Sequence, residues 1–226
     1  MASQTTTSHT VYRRISSDSR LEPCWQLIET WLSTCTSNHP ACSHNQHPEW
    51  PTRLLNVEDL RIVNGSTCGG HVRYATLSHC WGTSMFTRLN KSAFQGFMTG
   101  IDHQILPRNF QDAIFATRRL EITYQWIDAL CVIQDSHAEW AKELVNMGKY
   151  YGHAVVILSA LSSPSSNTGF LGPRNPQPLT SLQNRLHLRK ARPSWNNVFT
   201  GAPLTERAWI LQERLISLIA RYSGNV

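Results

Sequence analysis

Tyr124-Gln-Trp-Ile-Asp-Ala-Leu-Cys-Val-Ile-Gln134 is an almost unbroken apolar run with one acid, Asp128, in its middle, and its reading decides the fold. A run of this kind suits a strand buried on both faces, as in a parallel sheet covered by helices. From His137 the period changes. Trp140, Ala141, Leu144, Met147, Gly148 and Tyr151 recur at helical spacing, with Glu139, Lys142, Glu143 and Lys149 on the other side, so residues 137–151 are expected to form an amphipathic helix. Gly152 ends it, and Ala154-Val-Val-Ile-Leu-Ser159 reads as a second buried strand. Two parallel strands joined through a helix make a right-handed crossover.

The same alternation extends towards the N-terminus. Leu106-Pro107 opens a helix to Leu120, whose stripe is Phe110, Ala113, Ile114, Thr117 and Leu120. Before it, His71 to Ser78 reads as a strand that runs straight into His79-Cys80-Trp81-Gly82. Arg53 to Val57 and Leu60 to Val63 are short strands followed by the turn signals Asn64-Gly65 and Gly69-Gly70. The fold class is therefore α/β, an open and mostly parallel sheet with strands near 74–78, 124–133 and 154–159 and flanking helices. Residues 161–181, rich in Ser, Pro, Gly and Asn, make a long loop of the kind that is more often functional than idle. Arg185 to Arg189 alternates like an edge strand, and Leu204 to Ser217 reads as a closing helix.

Composition narrows the class. The 226 residues, 41% of them hydrophobic, suffice for one sizeable domain with an appendage and exclude a disordered chain. The net charge of +6 owes much to Arg185-Leu-His-Leu-Arg-Lys-Ala-Arg192, but a solvated strand edge accounts for that cluster better than nucleic-acid binding, since no recognition-helix context surrounds it. Six cysteines with no apolar leader before them point to reduced thiols. No apolar stretch approaches the ~20 residues a membrane helix needs. A cytoplasmic protein is expected.

Three segments follow from this: a Ser/Thr-rich tail over 1–20, a Cys/His/Trp-rich segment over 21–50, and the α/β domain over 51–226. In the second, Cys35-x3-His39-x2-Cys42 offers three soft donors that one loop can gather round a zinc ion, with Cys24, His44 or His47 as a fourth. The competing reading buries Cys35 and Cys42 as small side chains beside Trp25, Trp31 and Leu32.

Six blocks in order resemble the fungal heterokaryon incompatibility (HET) domain: Trp31 to Cys42; Tyr74-Ala-Thr-Leu-Ser-His-Cys-Trp-Gly82; Leu106-Pro-Arg-Asn-Phe-Gln-Asp-Ala-Ile114; Trp126-Ile-Asp-Ala-Leu-Cys-Val-Ile-Gln-Asp135; Met147-Gly-Lys-Tyr-Tyr-Gly-His-Ala154; and Arg207-Ala-Trp-Ile-Leu-Gln-Glu-Arg-Leu-Ile-Ser217. Against that family the chain reads as a short or truncated form, ending at Val226 soon after the last block. The resemblance implies non-self recognition after cell fusion that triggers programmed cell death, either as a signalling module with protein partners or self-association, or as an enzyme. It also implies a sheet of TIR-like or flavodoxin-like type.

The enzymatic alternative comes from the distant similarity of HET to TIR domains, some of which cleave NAD with a helical glutamate. Trp140-Ala-Lys-Glu143-Leu looks like that pattern one residue short, which leaves Glu139 as the neighbouring candidate. A carboxylate would stabilise a ribosyl cation; the competing reading makes both glutamates a solvated face paired with Lys142 and Lys149. Zinc and NAD, the latter as substrate, are the only small partners these residues suggest. The end of a buried strand is where open sheets place ligands. Ser78, His79, Trp81 and Gly82 are therefore expected to meet Gln134, Asp135, Asp128 and, from the last block, Arg207, Trp209, Gln212 and Glu213 in one cleft. Asp128 cannot stay unpaired in a core, so Arg207 or a hydroxyl is its expected partner.

Overall fold

A computed structural model describes residues 16–39, 50–70, 72–174, 180–182, 186–188, 199–206 and 220–223. Helix α1 (Glu22–Asn38) is followed by the antiparallel pair β1 (Arg53–Asn56) and β2 (Arg61–Asn64), then β3 (Tyr74–Ser78). Next come α2 (Phe94–Thr99), α3 (Arg108–Arg119), β4 (Tyr124–Trp126), the single turn α4 (Asp128–Cys131), α5 (His137–Gly152) and β5 (Val156–Ala160). Strands β6 (Thr180–Leu182) and β7 (Leu186–Leu188) pair antiparallel apart from the main sheet, and β8 (Ala220–Ser223) joins its edge.

The main sheet has the order β2-β1-β4-β3-β5-β8. Strands β4, β3, β5 and β8 run parallel, while β1 lies antiparallel to both its neighbours. The expected parallel triplet is present, with Ala75 facing Gln125 on one side and Val156 on the other. Helices cover both faces. Tyr74 and Trp126 turn towards α5: the Tyr74 hydroxyl donates to the carbonyl of Tyr150 at 2.8 Å, and the Trp126 ring lies 5.5 Å from those of Tyr150 and Tyr151. His79 leaves the strand on the other side and meets Phe110 of α3 edge-on at 5.1 Å.

Two expectations change. The apolar run at 124–133 is not one strand: β4 ends at Trp126, and Asp128–Cys131 coils into a helical turn whose Ala129, Leu130 and Cys131 are buried. Continuous burial makes strand and helix alike apolar, so hydrophobicity alone could not separate them. Helix α5 is also rotated from its expected face. Its buried residues are Glu143, Tyr150 and Tyr151, whereas Trp140 is 44% exposed.

Of the segment expected as a tail, residues 16–20 are described, and their backbone pairs with the loop after β5. The Ser19 N–H donates to Gly172 O at 2.9 Å, the Arg174 N–H to Ser17 O at 2.7 Å, and Asp18 bridges Pro173. Among the described residues no helix is long and apolar enough to cross a membrane.

Candidate functional site

The turn after β3 is held by side chains that the sequence singles out. Trp81 Nε1 donates to Asp128 Oδ2 at 3.1 Å, and Asp128 Oδ1 accepts the Ala129 N–H at 2.7 Å. The acid thus sits in the first turn of α4, where a carboxylate suits the helix dipole, and the Trp81 indole is one partner for it; the expected partner Arg207 lies outside the described residues. Buried His79 brings Nδ1 to 4.0 Å from Asp128 Oδ1. Ser78 ends β3 with its side chain in the core. Gly82 turns with φ +75, and a Cβ there would lie 2.5 Å from that of Ser165.

Gln134 belongs to the same assembly as a staple. Its Nε2 donates to the carbonyls of Asp128 and Val132, both at 2.9 Å, which closes the chain after α4. Asp135 points elsewhere, and its Oδ1 accepts the Lys91 N–H at 2.9 Å. The structure therefore brings His79, Trp81, Asp128 and Gln134 together. Arg207, Trp209, Gln212 and Glu213 lie outside the described residues.

The two glutamates of α5 do not join this group. Glu143 is 1% exposed and accepts the Tyr150 hydroxyl at 2.9 Å on Oε2, with Arg53 Nη2 at 4.0 Å from Oε1. Arg53, itself buried, donates from Nη2 to Glu139 Oε2 at 2.6 Å and from Nε to the Cys131 carbonyl at 2.7 Å. The bond from Arg53 holds the Glu139 carboxyl below its usual range. Burial, then the charge of Glu143, pushes the Tyr150 phenol up to about 12, so it stays a donor at neutral pH. Burial likewise raises the Cys131 thiol to about 12, which makes it an inert core group. Helix α5 packs on Trp126, on the other face of the sheet from the His79–Phe110 contact. Neither the solvated-face reading nor a glutamate lining the Trp81 cleft describes Glu143.

A third network escapes sequence reasoning. Asn109 is fully buried: its N–H donates to Ser166 O at 2.9 Å, its Nδ2 to Ser165 O at 3.1 Å, and its Oδ1 accepts Ser163 Oγ at 3.0 Å. Asp112 takes the N–H groups of Phe170 and Leu171 on Oδ2, at 2.8 and 3.0 Å, and Arg20 Nη2 on Oδ1 at 2.9 Å. The signal is there in two pieces, an Asn and an Asp on the core side of a predicted helix and a Ser-rich loop with no periodicity, but nothing in either piece says that they bond to each other.

In the N-terminal segment, His39 Nδ1 lies 3.4 Å from Cys35 Sγ, so two of the three expected zinc donors converge, while Cys42 lies outside the described residues. Cys35 is only half-buried and Trp31 is 52% exposed, which corrects the buried-cysteine reading for this position. No group of three or more His, Cys, Asp or Glu side chains suited to a metal ion occurs among the described residues.

Comparison with known proteins gives one match. Residues 74–213 fit the family described as heterokaryon incompatibility protein (HET), from the start of β3 into the last sequence block. Searches among curated proteins and among solved structures find no match. That span covers more than half of the chain and contains both the Trp81–Asp128 turn and the α5 glutamates, and the chain belongs to the heterokaryon incompatibility family.

Proposed function

We propose that the chain acts as a signalling and interaction module in the non-self response, engaging protein partners or its own copies in the cytoplasm to trigger programmed cell death. The observation that carries this reading is the state of Glu143. A carboxylate that stabilises a ribosyl cation must reach substrate, whereas this one is 1% exposed and bonded to Tyr150. Its neighbour Glu139 is spent on Arg53. Exposed apolar side chains beside the β3 turn, Met85 at 81% and Ile105 at 53%, are surface that a partner can cover.

One observation favours the enzymatic alternative, a TIR-like NAD glycohydrolase. Taken in chain order, the parallel strands β3, β4, β5 and β8 lie in the sequence second, first, third, fourth across the sheet, which supports a flavodoxin-like or TIR-like arrangement. Expression in a fungal host, with viability and cellular NAD followed together, separates the two. The module reading expects death without NAD loss, and equal death from Glu143→Gln and Glu139→Gln. NAD loss that Glu143→Gln abolishes would replace it with the enzyme.

A further inference from the structure

A crevice of about 540 Å³ opens between three loops: Met85–Thr87 after β3, Gln104–Pro107 before α3, and Asn167 after β5. Its place is set by topology. From β3 the chain crosses to β4 on one side, and from β4 it returns past β3 to β5 on the other, so the connections diverge between β3 and β5. Loops leaving the carboxyl ends of two such strands splay apart and leave a cleft, the position where open α/β sheets bind ligands. The volume lies within the range of small-molecule pockets, but the crevice is shallow and opens widely to solvent, so it can hold one face and one edge of a ligand rather than enclose it.

The walls are fixed before any ligand arrives. Ser166, fully buried, donates its N–H to the Trp81 carbonyl at 3.3 Å and its Oγ to the Cys80 carbonyl at 3.4 Å, tying the β5 loop to the β3 turn. Asn109 fastens the same loop to α3 through its bonds to Ser163, Ser165 and Ser166. Thr87 Oγ1 donates to the Ile105 carbonyl at 2.6 Å, joining the remaining wall. Phe86 stands edge-on to both Trp81 and Phe110, at 5.4 and 5.8 Å, so its ring direction is set.

Chemistry then selects the occupant. Phe86, Met85 and Ile105 offer apolar surface for the flat face of a ring, while the Gln104 and Asn167 amides and the Thr87 oxygen offer donors and acceptors for its edge. Among the described residues no Asp, Glu, Lys, Arg or His lines the crevice, so neither a phosphate nor a cation would find a counter-charge in it. We infer that the crevice binds an uncharged heteroaromatic ring of the nucleobase class. Amide side chains pair with such ring edges and aromatic or apolar side chains stack on their faces. This site lies beside the Trp81–Asp128 turn rather than in it and goes beyond the module reading; the two share Met85 and Ile105 as surface, but adenosine binding and cell death without NAD loss are read out separately.

Saturation-transfer NMR with adenosine tests it on the whole chain. Transfer to the base protons, saturating on titration, is the expected result. Ile105→Trp fills the crevice from an exposed position and should abolish the transfer. Asn167→Ala, also exposed, should weaken binding about three- to tenfold, the worth of one neutral hydrogen bond. Val145→Trp on α5, remote from the crevice and 81% exposed, should leave it unchanged. Absence of transfer to wild type at millimolar adenosine, or undiminished transfer to folded Ile105→Trp, overturns the inference.

Discussion

Asp112 and Glu143 are both buried acids on helices that cover opposite faces of one sheet, and they are satisfied in opposite ways. Asp112 accepts hydrogen bonds on both oxygens from elsewhere in the chain, two backbone N–H groups of the loop after β5 and the Arg20 guanidinium, with Arg108 of its own helix as a second cation 3.6 Å from Oδ1. Glu143 accepts one hydroxyl from its own helix, leaves Oε1 without a hydrogen bond, and has its nearest cation at 4.0 Å. The first is a staple that fixes three segments of chain. The second is a charge held inside mainly because Arg53 compensates it, and Arg53 also holds Glu139 and the Cys131 carbonyl. The compensation of buried charge on the α5 face therefore rests on one guanidinium, whereas on the α3 face it is spread over several donors.

The largest expected effect comes from removing that guanidinium. Arg53→Met keeps an apolar stem but strands Glu143 in the core, and breaking a buried pair from one side costs about 3–5 kcal/mol. Chemical denaturation measures it; a loss below about 1 kcal/mol would mean that Glu143 is satisfied without Arg53. Asp112→Ala should follow at about 2–3 kcal/mol, the cost of leaving buried donors unpaired. Hydrogen exchange separates the two failures: Asp112→Ala should free the amides of Phe170 and Leu171, and Arg53→Met should not.

A smaller effect probes the geometry of the Asp112 staple. Gly169 turns the loop with φ +81, and an added Cβ would lie 2.9 Å from Asp112 Oδ2 and 2.6 Å from Arg108 Cγ. The Arg108 stem can swing aside, but the carboxylate is pinned. Gly169→Ala should cost about 1–2 kcal/mol from the left-handed backbone alone. It should also raise exchange at Phe170 more than at residues of α5. Equal exchange in both regions would show that the two networks unfold together and that the contrast between them is not local.

How much of this is legible in the sequence follows the same division. The parallel triplet and α3 declare themselves because an apolar period reports burial, and Phe110, Ala113, Ile114 and Thr117 are all buried. The face of α5 misleads because Glu143 occupies a core position that an apolar residue would normally mark, and the Tyr150 hydroxyl together with Arg53, far away in the chain, makes that position tolerable. Asp128 stands out as an acid needing a partner and has one, yet the strand expected through it is absent: a buried helical turn and a buried strand have the same composition. His79, Trp81 and Gln134 do gather round Asp128, since motif residues at a strand end have few places to go. The crevice is out of reach because it lies between loops, where no periodicity says which one meets which.

The smallest effect is the most specific to Arg53. Its bond to Glu139 lowers that carboxyl below its unfolded value of 4.5. A carboxyl whose folded pKa is depressed binds a proton less readily when folded, so its contribution is present above about 4.5 and disappears as pH falls through the folded value. Glu139→Gln should therefore lower stability at neutral pH and make little difference once wild-type Glu139 is protonated. The gap between the two chains should close on acidification. Because the Glu139 side chain is 32% exposed, water screens the pair and the neutral-pH gap should stay below about 1 kcal/mol. Denaturation midpoints of wild type and Glu139→Gln at neutral and strongly acidic pH measure this directly. In an Arg53→Met background the gap should vanish at every pH, since the group that depresses the carboxyl is gone. A gap that survives there would mean that Glu139 draws its stabilisation from Lys142 or the helix N-terminus, and that Arg53 serves Glu143 and Cys131 alone.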